Sequence, residues 1–195
     1  MTTVISKKES LALLKLAREY IAGEFGGKSP DIKGISKEIS RDVLRQKRGV
    51  FVTLHKKGEL RGCIGNIEPV KTLENGIREN AIYAAFKDSR FTPLTIDELP
   101  RIDIEISILT LPEKMIYKNI QNLVSNLVPG VDGVIIEKDH HRATFLPQVW
   151  DQLPEPEAFL SQLCTKAGLP AREWEKGTLT LHTYQVVSFG ETDKI

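Results

Sequence analysis

Cysteine is scarce: Cys63 and Cys164 are the only two among 195 residues. That excludes a disulfide-built scaffold, and a chain of this length buries roughly two-thirds of its unfolded surface and needs no such staple. The two cysteines lie far apart and match no metal-ligand spacing. Bridged, they would close a long loop worth roughly 4–5 kcal/mol in the chain-entropy model. In the absence of an export signal, two free thiols in a reducing cytoplasm are expected instead. Long hydrophobic runs are missing too, and nothing approaches the roughly 20 apolar residues that span a bilayer. The stretch LALLKLA (11–17) follows Lys7 and Lys8, is broken by Lys15 and leads into Arg18 and Glu19. It reads as an amphipathic helix rather than a signal peptide. Walker and GxGxxG glycine patterns are absent, and so are zinc-finger, RNP and low-complexity signatures.

Neither sign of charge dominates, with 27 Lys+Arg against 26 Asp+Glu. The balance is uneven along the chain: residues 1–65 carry a net +7 and residues 66–195 a net −6. Mutual attraction or solvation of the two parts is the favoured reading. The alternative is that the basic third meets something anionic, nucleic acid included, although no recognition motif supports the latter.

The elements follow from periodicity. Ser6-Lys7-Lys8-Glu9 is a capping-box pattern opening a helix with Leu11, Leu13, Leu14, Ala17, Tyr20 and Ile21 inward and its end at Gly26-Gly27. Lys28–Gly34 reads as a loop. A second helix is expected over Ser36–Lys47, burying Ile39 and Val43 and placing Arg41, Arg45 and Arg48 on one stripe. Residues 50–65, VFVTLHKKGELRGCIG, form a hairpin with a three-residue Lys56-Lys57-Gly58 loop. That register sets Thr53 opposite Arg61 and Phe51 opposite Cys63. Val50, Val52, Leu54, Leu60 and Ile64 then share one face, and Phe51, Thr53, His55, Glu59, Arg61 and Cys63 the other. Thr72–Phe86 is helical, Thr95 and Glu98 make another capping box, and IDIEISIL (102–109) is a strand with four isoleucines on one side. A short helix (120–127) and a hairpin (133–138 and 142–147, tip Asp139-His140-His141) follow. A helix over Glu155–Ala167 and one long strand over Thr178–Phe189 complete the chain. Hairpins with separate helices imply an α+β fold with an antiparallel sheet rather than βαβ repetition.

LRGCIG on the second strand of a hairpin, followed by DSRFTPL (88–94), resembles the AMMECR-one family. IDIEISIL with Pro112-Glu113, PGVDGVII (129–136), FLPQVW (145–150) and FLSQLCTKAGL (159–169) extend the resemblance over residues 6–191. One departure is Thr92, where the family pattern has a second proline. The resemblance implies a single α+β domain of two lobes, the larger built on an antiparallel sheet, with a cleft lined partly by LRGCIG. It also implies association with Memo-like and radical-SAM proteins. It implies no particular reaction.

Two functions stay open at that motif. In the first, Arg61, Gly62, Cys63, Gly65, Asp88 and Arg90 form a binding surface for a protein partner or a small polar or anionic ligand. In the second, Cys63 is a catalytic nucleophile and Arg61 lowers its pKa. A base for the second is hard to find: His55 lies four strand positions away, and His182 is on another strand. Binding is the favoured reading, accessory or regulatory in a modification pathway. Asp88-Ser89-Arg90 also fits a turn holding its own ion pair. Asp103 and Glu105 read as a solvated strand face, and His140-His141 as a solvated turn. No metal, cofactor or membrane is expected, and homo-oligomerisation is left open.

Overall fold

The computed structural model describes residues 5–26, 31–35 and 37–193. In chain order the helices and strands are α1 (Lys7–Gly23), α2 (Ile32–Ile35), α3 (Arg41–Arg45), β1 (Val50–Lys56), β2 (Glu59–Asn66), α4 (Leu73–Phe86), β3 (Ile102–Leu109) and β4 (Glu113–Lys114). They continue with α5 (Ile120–Asn126), β5 (Gly133–Lys138), β6 (His141–Phe145), α6 (Pro156–Lys166), β7 (Thr180–Tyr184) and β8 (Val186–Gly190). The chain divides into two compact units, residues 1–110 with 187–195 and residues 111–186. The first holds a sheet of order β2-β1-β3-β8 and the second a sheet of order β4-β7-β5-β6. Pairs β1–β2, β1–β3, β4–β7, β5–β6 and β5–β7 are antiparallel, so the molecule is α+β.

In the first unit the isoleucine strand behaves as its alternation predicts. Ile102, Ile104, Ile106 and Ile108 pair with Lys56, Leu54, Val52 and Val50. This aliphatic layer is buried in one core with residues of α1 and α4. The capping box at Ser6 forms: its hydroxyl accepts from the Glu9 N–H at 3.3 Å while the Glu9 carboxylate accepts from the Ser6 N–H at 2.9 Å. Leu13, Leu14, Ala17 and Ile21 face the core, whereas Leu11 is 46% exposed and lies off that face. The expected end at Gly26-Gly27 reaches Gly27, outside the described residues.

The expected helix over Ser36–Lys47 is not continuous. Residues 32–35 and 41–45 form two separate short helices, and Ser36 lies outside the described residues. Ser40 caps α3 by accepting from the Val43 N–H, and the chain turns extended at Gln46. Arg48 is therefore past the helix end, and the Arg41/Arg45/Arg48 stripe does not form. Ile39 is buried and Val43 packs against the core as expected.

The second unit centres on Phe159, which stacks with Trp150 at 3.8 Å, 8° from parallel, and buries Leu160, Leu163 and Cys164 with it. The predicted final strand over Thr178–Phe189 is two strands belonging to different sheets, β7 beside β5 and β8 beside β3, with Gln185 between them. At the β5–β6 turn Asp139 takes a left-handed backbone (φ 53°), and His141 belongs to β6 opposite Lys138 rather than to the turn. Its Nδ1 lies 2.9 Å from the Ala167 carbonyl oxygen at the end of α6.

Candidate functional site

The LRGCIG segment is β2, the edge strand of the first sheet. Its hairpin turns on two residues, Lys57 and Gly58, both with positive φ (55° and 81°), as a tight two-residue turn requires. Lys56 pairs with Glu59 and His55 with Leu60, but Leu54 pairs with Gly62. One residue is extra at this point, a β-bulge at Arg61. The tighter turn and the bulge together overturn the predicted register: Cys63 lies opposite Thr53, and Gly65 opposite Phe51. Leu60 also changes side, pairing with His55, and is 42% exposed.

The two faces of β2 consequently do different things. Gly62 and Ile64 share the aliphatic face with Leu54 and Val52. A Cβ on Gly62 would lie inside contact distance of the Ala84 carbonyl oxygen, so the last turn of α4 sits directly on the glycine backbone. On the second face the rows run across three strands. Gly65, Phe51 and Ser107 form one row, Cys63, Thr53 and Glu105 the next, and Leu60, His55 and Asp103 the third. The Phe51 ring lies over Gly65, where any Cβ would collide with it. In the middle row the Thr53 hydroxyl donates to Cys63 Sγ at 3.3 Å. Cys63, Thr53, Glu105 and His55 are all half-buried. His55 is thus a diagonal neighbour of Cys63 on this face, not four positions away.

The loop after α4 grips β2 from outside. Asp88, 7% exposed, accepts the Cys63 N–H at 2.9 Å and holds Arg90 through Nε at 2.9 Å and Nη2 at 2.6 Å. Arg90 in turn donates from Nη2 to the Cys63 carbonyl at 3.3 Å. The Arg90 guanidinium beside Asp88 holds its carboxyl well below the usual carboxylate range, helped by the Cys63 and Arg90 N–H groups and opposed by burial.

Arg61, pushed out of register by the bulge, reaches the same loop further along. Its Nε donates to Glu98 Oε1 at 3.1 Å and its Nη2 to Glu98 Oε2 and the Thr92 carbonyl, both at 3.0 Å. Lys56 adds a 2.7 Å contact to Glu98 Oε1, and the Thr95 N–H donates to Oε2 at 3.1 Å, as the predicted capping box requires. Arg61 and Lys56 hold the Glu98 carboxyl well below its usual range. The third Arg61 nitrogen, Nη1, is buried without a hydrogen-bond partner among the described residues. The guanidinium carbons of Arg61 and Arg90 lie 5.9 and 5.5 Å from the Phe91 ring centroid. The guanidinium in contact with Cys63 is therefore that of Arg90, while Arg61 is committed to Glu98 and Thr92.

The structure brings Arg61, Gly62, Cys63, Gly65, Asp88 and Arg90 to one strand and the loop beside it. His182 lies in β7 of the second unit, and both cysteines are free, one in each unit. Thr53, Glu98 and Glu105 are the residues sequence reasoning missed. Glu98 carried a visible signal, its Thr95 capping pattern, which was read as local. Glu105 was visible only as an alternating polar position. Among the described residues no group of three or more His, Cys, Asp or Glu is placed to hold a metal ion, and no helix is long and apolar enough to cross a membrane.

Comparison with known proteins returns one family model, AMMECR1, matching residues 14–189. A protein of Methanothermobacter thermautotrophicus is 41% identical over 96% of this chain and 96% of its own. A protein of Methanocaldococcus jannaschii is 36% identical over 97% of this chain and 94% of its own. The crystal structure of an uncharacterised protein from Pyrococcus horikoshii matches with a TM-score of 0.76 at 32% identity, covering 96% of this chain and 94% of that one.

Proposed function

Because the chain belongs to the AMMECR1 family, we propose that its LRGCIG surface binds a ligand or protein partner, in an accessory or regulatory role within a modification pathway that includes Memo-like and radical-SAM proteins. The observation that carries this reading is the fate of the two arginines. Each is forked onto a carboxylate, Arg61 onto Glu98 and Arg90 onto Asp88. Bidentate pairs of this kind fix geometry as well as charge. They pin residues 88–98 along β2, which favours a rigid recognition surface. The thiol-enzyme reading would spend Arg61 on the Cys63 thiolate, whereas Arg61 is hydrogen-bonded to Glu98 and Thr92, and Arg90, which reaches the Cys63 carbonyl, is paired with Asp88. Within the proposed site Cys63 and Gly65 are surface, Asp88 and Arg90 hold the strand, Arg61 holds the loop, and Gly62 seats the strand on α4.

The test is complex formation with a purified Memo-like protein, followed by calorimetry. Cys63→Ala is expected to weaken binding only mildly, and Arg61→Ala to weaken it about tenfold or more, the scale of one charged hydrogen-bonded anchor. Absence of any complex sinks the partner reading. The thiol-enzyme reading is tested separately, by alkylating Cys63 across pH in a Cys164→Ala background. A profile that Arg61→Ala moves to higher pH would revive it, and an unmoved profile is expected.

A further inference from the structure

One buried nitrogen in the first unit has no use inside the molecule. A guanidinium carries five N–H groups. At Arg61 three of them are spent, on the two Glu98 oxygens and the Thr92 carbonyl. Those on Nη1 are buried and meet no acceptor among the described residues. The side chain as a whole is nine-tenths withdrawn from water, with 10% of it exposed. Buried donors in folded chains are almost always paired, because one left over loses its hydration for nothing. A bound group that accepts from Nη1 removes that cost.

The charge around Nη1 selects the acceptor. Arg61 and Lys56 share the single carboxylate of Glu98, which leaves one positive charge over. Glu59 and Asp97, the acidic residues beside Arg61 and Glu98 in the sequence, are exposed and pair with neither cation among the described residues. An anionic oxygen therefore balances the cluster where a neutral carbonyl does not. The covering limits its size. The Thr92 carbonyl accepts from the guanidinium, and the Phe91 ring centroid lies 5.9 Å from its central carbon. The backbone here is held on both sides, by the Phe91 N–H on the Asp88 carbonyl at 3.1 Å and the Leu94 N–H on the Ala85 carbonyl at 2.8 Å. Thr92 and Pro93 are themselves exposed, so one thickness of chain separates Arg61 from solvent. With the backbone fixed, the half-buried Phe91 ring is the part able to turn aside. That opening admits the tip of a small molecule and not a protein surface, and a flat carboxylate needs less room than a tetrahedral phosphate.

We infer that Arg61 Nη1 binds one oxygen of a small free carboxylate, admitted when the Phe91 ring turns aside. The inference rests on the binding reading above and names the ligand class for its small-molecule form.

The experiment titrates the full chain at neutral pH and equal ionic strength with sodium acetate, propionate, phosphate or chloride. It follows the Nε–H signals of Arg61 and Arg90, the Phe91 ring, and the Phe91 and Thr92 amides. Acetate and propionate are expected to move the Arg61, Phe91 and Thr92 signals to saturation, and chloride to leave them in place. Arg61→Lys keeps the charge without Nη1 and is expected to weaken acetate binding about tenfold, the scale of one charge-assisted hydrogen bond. Saturation at the Arg61 signal of the unaltered chain keeps the test decisive if that variant folds poorly. Movement confined to Arg90, whose side chain is 55% exposed, would overturn the inference, since a surface guanidinium meets any anion. A response to phosphate and not to acetate would overturn the carboxylate class. Binding of an acetyl-Gly-Glu-Gly-amide peptide above that of propionate would overturn the free-molecule source and assign the carboxylate to a protein side chain. No response to any salt would leave Nη1 to water and overturn the inference, with the Memo-like complex deciding the broader reading separately.

Discussion

In the first unit Glu98 sits between Arg61 and Lys56, and in the second Glu173 sits between Lys138 and Lys176. Both are acceptors shared by two cations, and both have their carboxyls held below the usual range by those partners. The difference lies in what the cations do when the carboxylate is removed. Lys138 and Lys176 have 29% and 61% of their side chains exposed and swing to water. Arg61 has 10% exposed, sits on a bulge and has no such exit. Similar electrostatics thus stabilise a surface clamp in one unit and a fixed loop in the other. Exposure of the partner is therefore expected to matter more than burial of the carboxylate.

The sharpest way to break that comparison is to remove both carboxylates in turn. Glu98→Ala strands a buried guanidinium and is expected to cost about 3 kcal/mol in denaturant unfolding. Glu173→Ala is expected to cost less, although its carboxylate is the less exposed of the two. Equal losses would mean that Arg61 finds another partner. Next, Gly62→Ala forces a methyl against the Ala84 carbonyl, a backbone group that cannot turn aside, and is expected to cost about 2 kcal/mol.

Acid provides a graded version. Asp88 and Glu98 are held at lower pKa in the folded chain than when unfolded. Their contribution is complete above about pH 5, where both are ionised in either state. It is lost as the pH falls through about 4 and below, because the unfolded chain takes up protons that the native one resists. The double variant Asp88→Asn, Glu98→Gln is expected to show a flatter fall in stability over that range. An unchanged slope would place the acid sensitivity elsewhere. The smallest effect is chemical. Cys164 is fully buried, and burial pushes its thiol up, so native labelling with iodoacetamide is expected at Cys63 alone. Equal labelling in intact-mass spectra would show that the second unit opens readily.

The sequence made the regular parts plain. Alternation in IDIEISIL specifies a strand and its buried side, and Ser6 with Glu9 specifies a helix start, because both signals are local. What sequence reading missed depends on non-local structure. The tighter turn and the extra residue at Arg61 move every pairing beyond it by two positions, leaving Cys63 and Ile64 on their expected faces but opposite other partners, and nothing in ELRGC marks a bulge before the partner strand is known. Period-two alternation across 178–189 describes extended backbone but not which sheet receives it, hence one predicted strand and two real ones. Ile39 and Val43 suggested a longer helix because their burial is genuine, even though the backbone carrying them is not one helix. The residues of the proposed site on LRGCIG were legible as a sequence pattern. Their partners Thr53, Glu98 and Glu105 were not, because strand pairing and a loop 31 to 37 residues downstream bring them in.

The grip on Cys63 has a consequence for how the molecule behaves among copies of itself. A terminal strand with free amide and carbonyl groups is a template onto which another chain can add. At Cys63 the Asp88 carboxylate and the Arg90 guanidinium take those two groups, imitating the neighbouring strand that β2 lacks. Variants at Asp88 or Arg90 therefore put solubility at stake before recognition, and turbidity at rising protein concentration is where their damage is expected first.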